Sequence, residues 1–457
     1  MTKQVFTAAA LVAFALILVG NQNCSPVGFA GTTLGSTTAE GTSISTTGIP
    51  LDDAGGSQLP LPGSPASPTP APGTSTQIPS SPGPGPFVLP IPGSSRTRIE
   101  QQLLSRPSCG AGMNKLTLPS CLDVKGRGTS DSPYEIHSVK DFVCMANAPD
   151  AYWNLKTDLV VKPSDYQSGL TKRFVPIPCF AGVFDGEFHK IRHEVNCASF
   201  DCTGEPLKVD IKVALIGRVL GFLMNLHIEA DYRNLKPPFT KSIQSVSGLA
   251  HWARDAIFLR ISMTGYIDAD VQNAAGLIIE DDEINSAPNG SLLEQVSADF
   301  VLLNQNLEAA NNTLLRPQHV AGLVHVASNT VISNSVSKYD AEETMDGADR
   351  SGLYLGRWTE NRTPKIRNSY HRGNFVVQNC REYDFRRLHP LGIGGDVSDS
   401  FWTGQVRTGS GEVCNSGPDA TLQRNGAALT GVFDEFQFST DYWVRGADGL
   451  PRLKWLE

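Results

Sequence analysis

One short phrase recurs through the second half of the chain and restricts what it can fold into. Ser247-Gly248-Leu249, Ala275-Gly276-Leu277, Ala321-Gly322-Leu323 and Ser351-Gly352-Leu353 share it, and Ala214-Leu215-Ile216-Gly217 is a degenerate copy upstream. Equivalent positions are about 34, 28, 46 and 30 residues apart. Most copies are followed by a second apolar–polar alternating phrase: Leu223–Ile228, Ile257–Ile261, Val331–Val336 and Ile366–Tyr370. Alternation with period two marks a half-buried strand. A unit of two or three short strands cannot cover its own apolar face, but the next unit can, so the spacing predicts rungs stacked at the ordinary strand separation. Glycine ahead of leucine suits a corner where a side chain would meet the next rung. The uneven spacing places insertions in loops, with Pro288-Asn289-Gly290 inside the longest.

The repeated Gly-Leu phrase followed by an Ile-x-Asn-Leu-like strand resembles the GLUG-motif repeats of bacterial surface proteins. Gly126–Thr129 with Ser132–Ile136, and Tyr152–Leu159, are similar to the opening segments of that family. Phe180-Ala181-Gly182-Val183-Phe184-Asp185-Gly186-Glu187-Phe188-His189-Lys190-Ile191 resembles its Phe-x-Gly-x-Phe-Asp-Gly-x-x-His-x-Ile block, and Phe438–Trp443 with Asp448–Trp455 its Trp…Gly-x-Pro-x-Leu closing strand. Departures are Ala214 in place of the motif glycine and the acidic run Glu280-Asp281-Asp282-Glu283 where a strand should continue. The resemblance implies an all-β body over 126–457, a right-handed parallel β-helix or β-solenoid, with Tyr442–Trp455 capping its C-terminal end.

The beginning of the chain is different material. Met1-Thr2-Lys3-Gln4 precedes an uncharged apolar run, Val5–Gly20, which is short for a spanning helix and fits a secretory signal peptide over 1–23. Cys24, directly after Asn21-Gln22-Asn23, resembles the lipidated cysteine of bacterial lipoproteins, where diacylglycerol and an acyl chain such as palmitate anchor the protein. Ser25 resembles the outer-membrane-sorted class. Cleavage after Ala30 by ordinary signal peptidase and an uncleaved anchor are the alternatives; each exports the chain. Residues 24–98 hold fourteen of the thirty prolines among dense Gly, Ser and Thr, with no lysine. Such a segment buries too little apolar surface to offset its ordering entropy, so the expectation is a disordered tether, roughly 50 Å as a coil and roughly 200 Å extended. Proline-rich recognition motifs are its other reading. A Cys-bearing cap over 99–125, opening with a short helix at Ile99–Ser105, would join it to the solenoid.

Nine cysteines are an odd count for an oxidising compartment. Assigning Cys24 to lipid leaves Cys109, Cys121, Cys144, Cys179, Cys197, Cys202, Cys380 and Cys414, enough for four disulfides whose connectivity the sequence leaves open. Short loops favour Cys109–Cys121 and Cys197–Cys202, and isolation favours Cys380–Cys414. Buried free thiols are the alternative.

Candidates for chemistry are sparse. His189 and His193 are four apart, which serves one metal only on a helix, and this stretch reads as strand and turn. His193-Glu194 opens like a zinc-protease helix, but Cys197 stands where the second histidine belongs. Glu280–Glu283 could collect a hard cation or be a solvated acidic loop. Asp268 with Asp270, and Asp346 with Asp349, are the acidic pairs available for acid–base hydrolysis on a solenoid face. Trp252, Trp358 and Trp402 could stack on sugar rings or sit in the core. With a formal net charge of -8, a broad electrostatic grip on nucleic acid is not expected. No catalytic residue, metal or cofactor is assigned. The expectation is a lipid-anchored envelope protein that binds a glycan or surface-protein ligand without catalysis, with a polysaccharide lyase or glycoside hydrolase as the alternative.

Overall fold

The computed structural model describes residues 108–110, 121, 123–166, 174–197, 211–235, 243–269, 271–281, 290–303, 319–342, 349–356, 364–377, 388–389, 391–392, 396–408, 410–414 and 438–457. The signal segment, Cys24, the tether and Ile99–Ser105 lie outside them. The described residues form a three-faced solenoid of parallel strands.

Five complete coils can be followed. Their first faces are Ile211–Val213, Ile243–Ser247, Val271–Ala275, His319–Ala321 and Asp349–Ser351. Their second faces are Ile216–Val219, Ala250–Ala253, Ile278–Asp281, Val324–Ala327 and Tyr354–Gly356. The third face is longer and starts at Phe222, Ile257, Leu292, Val331 and Lys365. It continues beyond the complete coils in both directions, from Tyr134–Ile136 to Asp396–Ser398, nine strands deep.

The recurrent phrase is the corner between the first two faces. Gly248 N–H donates to Gly276 O (3.0 Å), and Leu249, Leu277, Leu323 and Leu353 N–H donate in turn to Leu277, Leu323, Leu353 and Leu391 O at 2.8–3.2 Å. The leucines form an interior column: Leu215, Leu249, Leu277, Leu323 and Leu353 are fully buried and Leu391 nearly so. Leu391 is a sixth copy that sequence reading missed, because Pro390 stands where four of the others have glycine. A Cβ on Gly322 would lie 1.8 Å from Gly352 O, and one on Gly276 2.1 Å from Gly322 O. The Ala214 corner differs in one bond, its N–H pairing with Phe174 O of the preceding coil (3.2 Å) instead of with the following one.

The third face bends once per coil. Asn225, Arg260, Gln295, Asn334, Asn368 and Asp399 all have positive φ, between 47° and 56°. The left-handed region favours Asn and Asp. The kink falls inside the unbroken strands Phe222–Leu235 and Ile257–Ala269, and from Leu292 onward it separates two short strands. Upstream of the kink, Trp153, Phe184, Leu223, Phe258, Leu293, Ile332 and Ile366 stack in register toward the interior. Burying each large apolar side chain is worth about 1.5–3 kcal/mol. Downstream, Ser335 and Ser369 repeat one device: Oγ donates to the carbonyl two residues back and accepts the preceding coil's Val296 or Ser335 N–H.

Two disulfides correct the short-loop pairing. Cys109 bonds Cys179, 70 residues away, and Cys121 bonds Cys144, 23 away. Cys179 lies in the strand Ile177–Phe180 and Cys144 ends helix α1 (Val139–Cys144), so stacking, not chain proximity, brings the partners together. Cys197 and Cys414 are also disulfide-bonded. Cys202 and Cys380, to which the expected pairings assigned them, lie outside the described residues.

The closing segment also departs from expectation. Trp443–Arg445 and Pro451–Leu453 form an antiparallel hairpin. It does not cap the end of the stack; it lies along the outside of the third face. Trp455 is 5.4 Å from the His227 ring and 6.3 Å from Phe188, and its Nε1–H donates to Gln295 O (3.1 Å). Tyr370 Oη donates to Pro451 O (2.5 Å), and Arg372 pairs with Asp448 (3.0 Å). Phe401, Phe438 and Trp443 close an aromatic cluster over Tyr370.

Candidate functional site

Parallel register turns alternate residues of the third face into fixed outward rows. Beyond the kink, Lys190–Asn196 pairs with His227–Arg233, which pairs with the strand through Ser262, Thr264 and Tyr266. Inward positions carry Ile191, Val195, Ile228 and Ala230 in the core. Outward positions carry charge of alternating sign. Arg192 reaches Glu194 (2.9 Å), Glu229 (3.4 Å) and Asp231 (2.5 Å); Arg233 also pairs with Asp231 (2.6 Å), Lys190 with Glu229 (3.0 Å) and Lys162 with Glu194 (3.1 Å). Arg233 also lies 5.8 Å over the Tyr266 ring. An open groove of about 430 Å³ runs here, lined by Lys162, Arg192, Glu194, Asn196, Asp231 and Arg233.

The charges hold one another in their ionised forms. The hydrogen bond to Asp231 raises the Arg192 guanidinium above its ordinary value. Desolvation pulls Asp231 upward, but hydrogen bonds from Arg233 and Arg192 outweigh it and hold the carboxyl low. Exposed ion pairs add little stability, so this lattice chiefly fixes where donors and acceptors stand.

Beneath it runs a buried polar chain. Tyr166, at the end of helix α2 (Pro163–Tyr166), donates to His193 Nε2 (3.0 Å). Tyr232 Oη donates to Ser247 O (3.3 Å), so His193 Nδ1–H donates to Tyr232 Oη (3.0 Å). Burial lowers the His193 pKa to about 3. This histidine is a neutral connector in the core. His189 instead lies at the surface against Asp158 (3.2 Å), so the two histidines share no ligand.

The other candidates are similarly divided. Asp281 is fully buried and accepts from Ser291 and Thr330 Oγ at 2.5 Å, while Glu280 accepts from Trp252 Nε1 (2.7 Å). The acidic run is therefore split between core and surface; Asp282 and Glu283 lie outside the described residues. Lys212 and Arg218 lie over the Trp252 ring at 4.5 and 5.0 Å, and Trp402 is buried with Nε1–H donating to Gly373 O (2.8 Å). Asp268 is buried and accepts from Asn234 N–H (3.4 Å). Asp270, Asp346 and Trp358 lie outside the described residues. Among the described residues no group of three or more His, Cys, Asp or Glu is placed to hold a metal.

Sequence reading missed the groove. Its residues come from segments 162–164, 192–196 and 231–233, and only strand register brings them together. The available signal was alternating charge in Lys190-Ile191-Arg192-His193-Glu194 and Glu229-Ala230-Asp231-Tyr232-Arg233.

No protein-family model matches the chain, and no curated protein matches it in sequence. Among solved structures, the crystal structure of a "putative immunoglobulin A1 protease" from Bacteroides ovatus is similar, at 11% identity over 75% of this chain and 99% of that one, with a TM-score of 0.43.

Proposed function

We propose that this chain is a lipid-anchored cell-envelope protein, related to GLUG-repeat surface lipoproteins, whose β-solenoid is a non-enzymatic binding or adhesion module for a glycan or surface-protein ligand. The observation that carries the reading is the groove on the third face: both signs of charge at fixed spacing around an open volume of about 430 Å³. A rigid polar lattice suits recognition, because its donors and acceptors need no ordering on binding. Solenoids present long regular faces for such contacts. Disulfides such as Cys109–Cys179 suit an oxidising compartment outside the cytosol. A Pro/Ser/Gly-rich tether behind Cys24 would hold the module away from an outer-membrane anchor.

The test combines arrayed glycans and surface proteins with product analysis. Retention of a ligand without new chain ends, weakened by Arg192→Ala or Asp231→Ala, is the expected result. New reducing or unsaturated ends would instead make the protein a hydrolase or lyase. Membrane fractionation checks the anchor, since Cys24→Ala should release the protein. Unchanged fractionation would remove lipidation.

A further inference from the structure

The carboxylate of Asp231 holds two guanidinium groups at once. Arg192 Nη2–H donates to its Oδ2 (2.5 Å) and Arg233 Nε–H to its Oδ1 (2.6 Å), so both oxygens are occupied. The Arg192–Asp231–Arg233 triad carries one net positive charge, and the neighbouring pair of Lys162 with Glu194 adds none. In a chain of net charge -8, the groove is therefore locally basic. Depth also separates the signs. Asp231 is 12% exposed and Glu194 27%, whereas Arg192 is 35%, Lys162 54% and Arg233 55% exposed. A ligand entering the groove meets cations first.

Arg233 is also held in place. Its Nε is tied to Asp231 and its guanidinium lies over the Tyr266 ring, while neither Nη group donates to a described residue. The two donors of that edge remain for a ligand in the groove that the residue lines. Tyr266 sits beside Asp231 on the following coil, and Val301 beside Tyr266 on the next. Val301 is 54% exposed, so the basic row ends on an accessible apolar step.

We infer that the groove is a uronic-acid subsite, in which the carboxylate of an acidic glycan takes the two Nη donors of Arg233 while a hydroxyl of the same ring donates to Glu194. The planar guanidinium edge matches a carboxylate with two parallel hydrogen bonds. One net positive charge balances one carboxylate, whereas a phosphate brings about -1.5 to -2. Glu194 is ionised beside Lys162 and Arg192 and only accepts, so the ligand must offer donors next to its anionic group. A uronic acid carries hydroxyls there; an acidic protein side chain carries methylenes. The C–H face of the ring would cover the Tyr266–Val301 step. The inference rests on the reading that this groove binds the module's ligand, and names the chemistry it selects.

The experiment uses the full chain on one array. The array carries galacturonic-acid oligomers, the same oligomers with their carboxyls reduced to alcohols, sulfated and neutral glycans, and surface proteins. Uronate oligomers should be retained at least tenfold more tightly than their reduced counterparts, by a margin that shrinks with added salt. Arg233→Gln should remove that preference. Arg233→Lys should not restore it, because an ammonium keeps the charge without the planar pair of donors. Arg233 belongs to an exposed ion pair, so both variants should unfold at the wild-type midpoint. Equal retention of acidic and reduced oligomers, or a preference that survives in Arg233→Lys, would overturn the inference. Retention of sulfated glycans, neutral glycans or proteins alone, weakened by Asp231→Ala, would overturn it while leaving the proposed function standing. A chain that retains nothing on the array would end the proposed function, and the subsite with it.

Discussion

Replacing the corner glycines by alanine tests the stacking argument directly. At Gly322 the added Cβ would meet Gly352 O at 1.8 Å, Ser337 Oγ at 2.5 Å and Ser337 Cβ at 2.6 Å. None of these atoms is the free end of a flexible chain. Restoring ordinary contact requires a separation of more than an ångström between coils whose spacing is set by backbone hydrogen bonds. Gly322 N–H to Ser351 O (3.1 Å) and Leu323 N–H to Leu353 O (2.8 Å) would stretch first. Overpacking costs about 1–3 kcal/mol and each weakened backbone bond about 1 kcal/mol, so Gly322→Ala should cost about 3–5 kcal/mol. The series is graded. At Gly276 the nearest atom is Gly322 O at 2.1 Å; at Gly248 it is Met263 Cγ at 2.6 Å, a side chain able to move, and the nearest backbone atom, Gly276 O, is 2.7 Å away. Denaturant unfolding of the three variants should rank Gly322 above Gly276 above Gly248, with hydrogen exchange accelerated at Leu323 and Val324 in the first. Equal costs at Gly322 and Gly248, or a loss below 1 kcal/mol at Gly322, would refute the reasoning.

Other consequences follow from burial and cross-linking. Replacing Cys109 and Cys179 together by serine opens the longer loop and should cost about 4 kcal/mol on a chain-entropy basis, read as a lower unfolding midpoint; an unchanged midpoint under reductant would contradict it. His193 and His371 are held by burial at about 3, far below the ordinary histidine value, so the unfolded chain binds more protons than the native one between that pH and about 6.5. Their stabilisation is complete above about 6.5 and is lost as pH falls, by about 2 kcal/mol per histidine at pH 5; Asp185 and Glu294, raised by desolvation, act in the opposite direction. The pH dependence of stability should therefore be shallower in His193→Gln than in wild type, and equal slopes would rule the histidine out. Trp443, almost wholly buried among Tyr370 and Phe438, should cost about 3–5 kcal/mol on truncation to alanine, and a loss under 1 kcal/mol in thermal unfolding would mean the hairpin is not docked.

The coil period was readable because it rests on a local steric rule: where Gly322 approaches Gly352 O, nothing larger fits, and the leucine beside it always points inward. Leu391 escaped because the sequence has Pro390, not glycine, ahead of it. The kinks were half-legible. Asn225, Asn334 and Asn368 are residues that tolerate the left-handed region, but Arg260 and Gln295 stand at the same position without any such preference. The disulfides and the charged groove were not readable for a different reason. Cys109 and Cys179, or Lys162 and Arg233, become neighbours only through the register of strands 70 or so residues apart, and chain spacing carries no record of that register.

The C-terminal hairpin connects these observations. Its contacts run from Phe188 and His227 across Gln295 and Asn334 to Tyr370 and Arg372, so it follows the kink column over several coils instead of ending the stack. Its last turn bears on the early coils through Trp455, and its strands on the later ones, where Asn334 bonds both Glu294 and Trp443. Shortening the chain before Trp455 should therefore speed hydrogen exchange beside Gln295 and His227 while leaving Trp443 packed on Tyr370 and Phe438. Loss of the Trp443 packing in that variant would instead mean that the hairpin docks only as one unit.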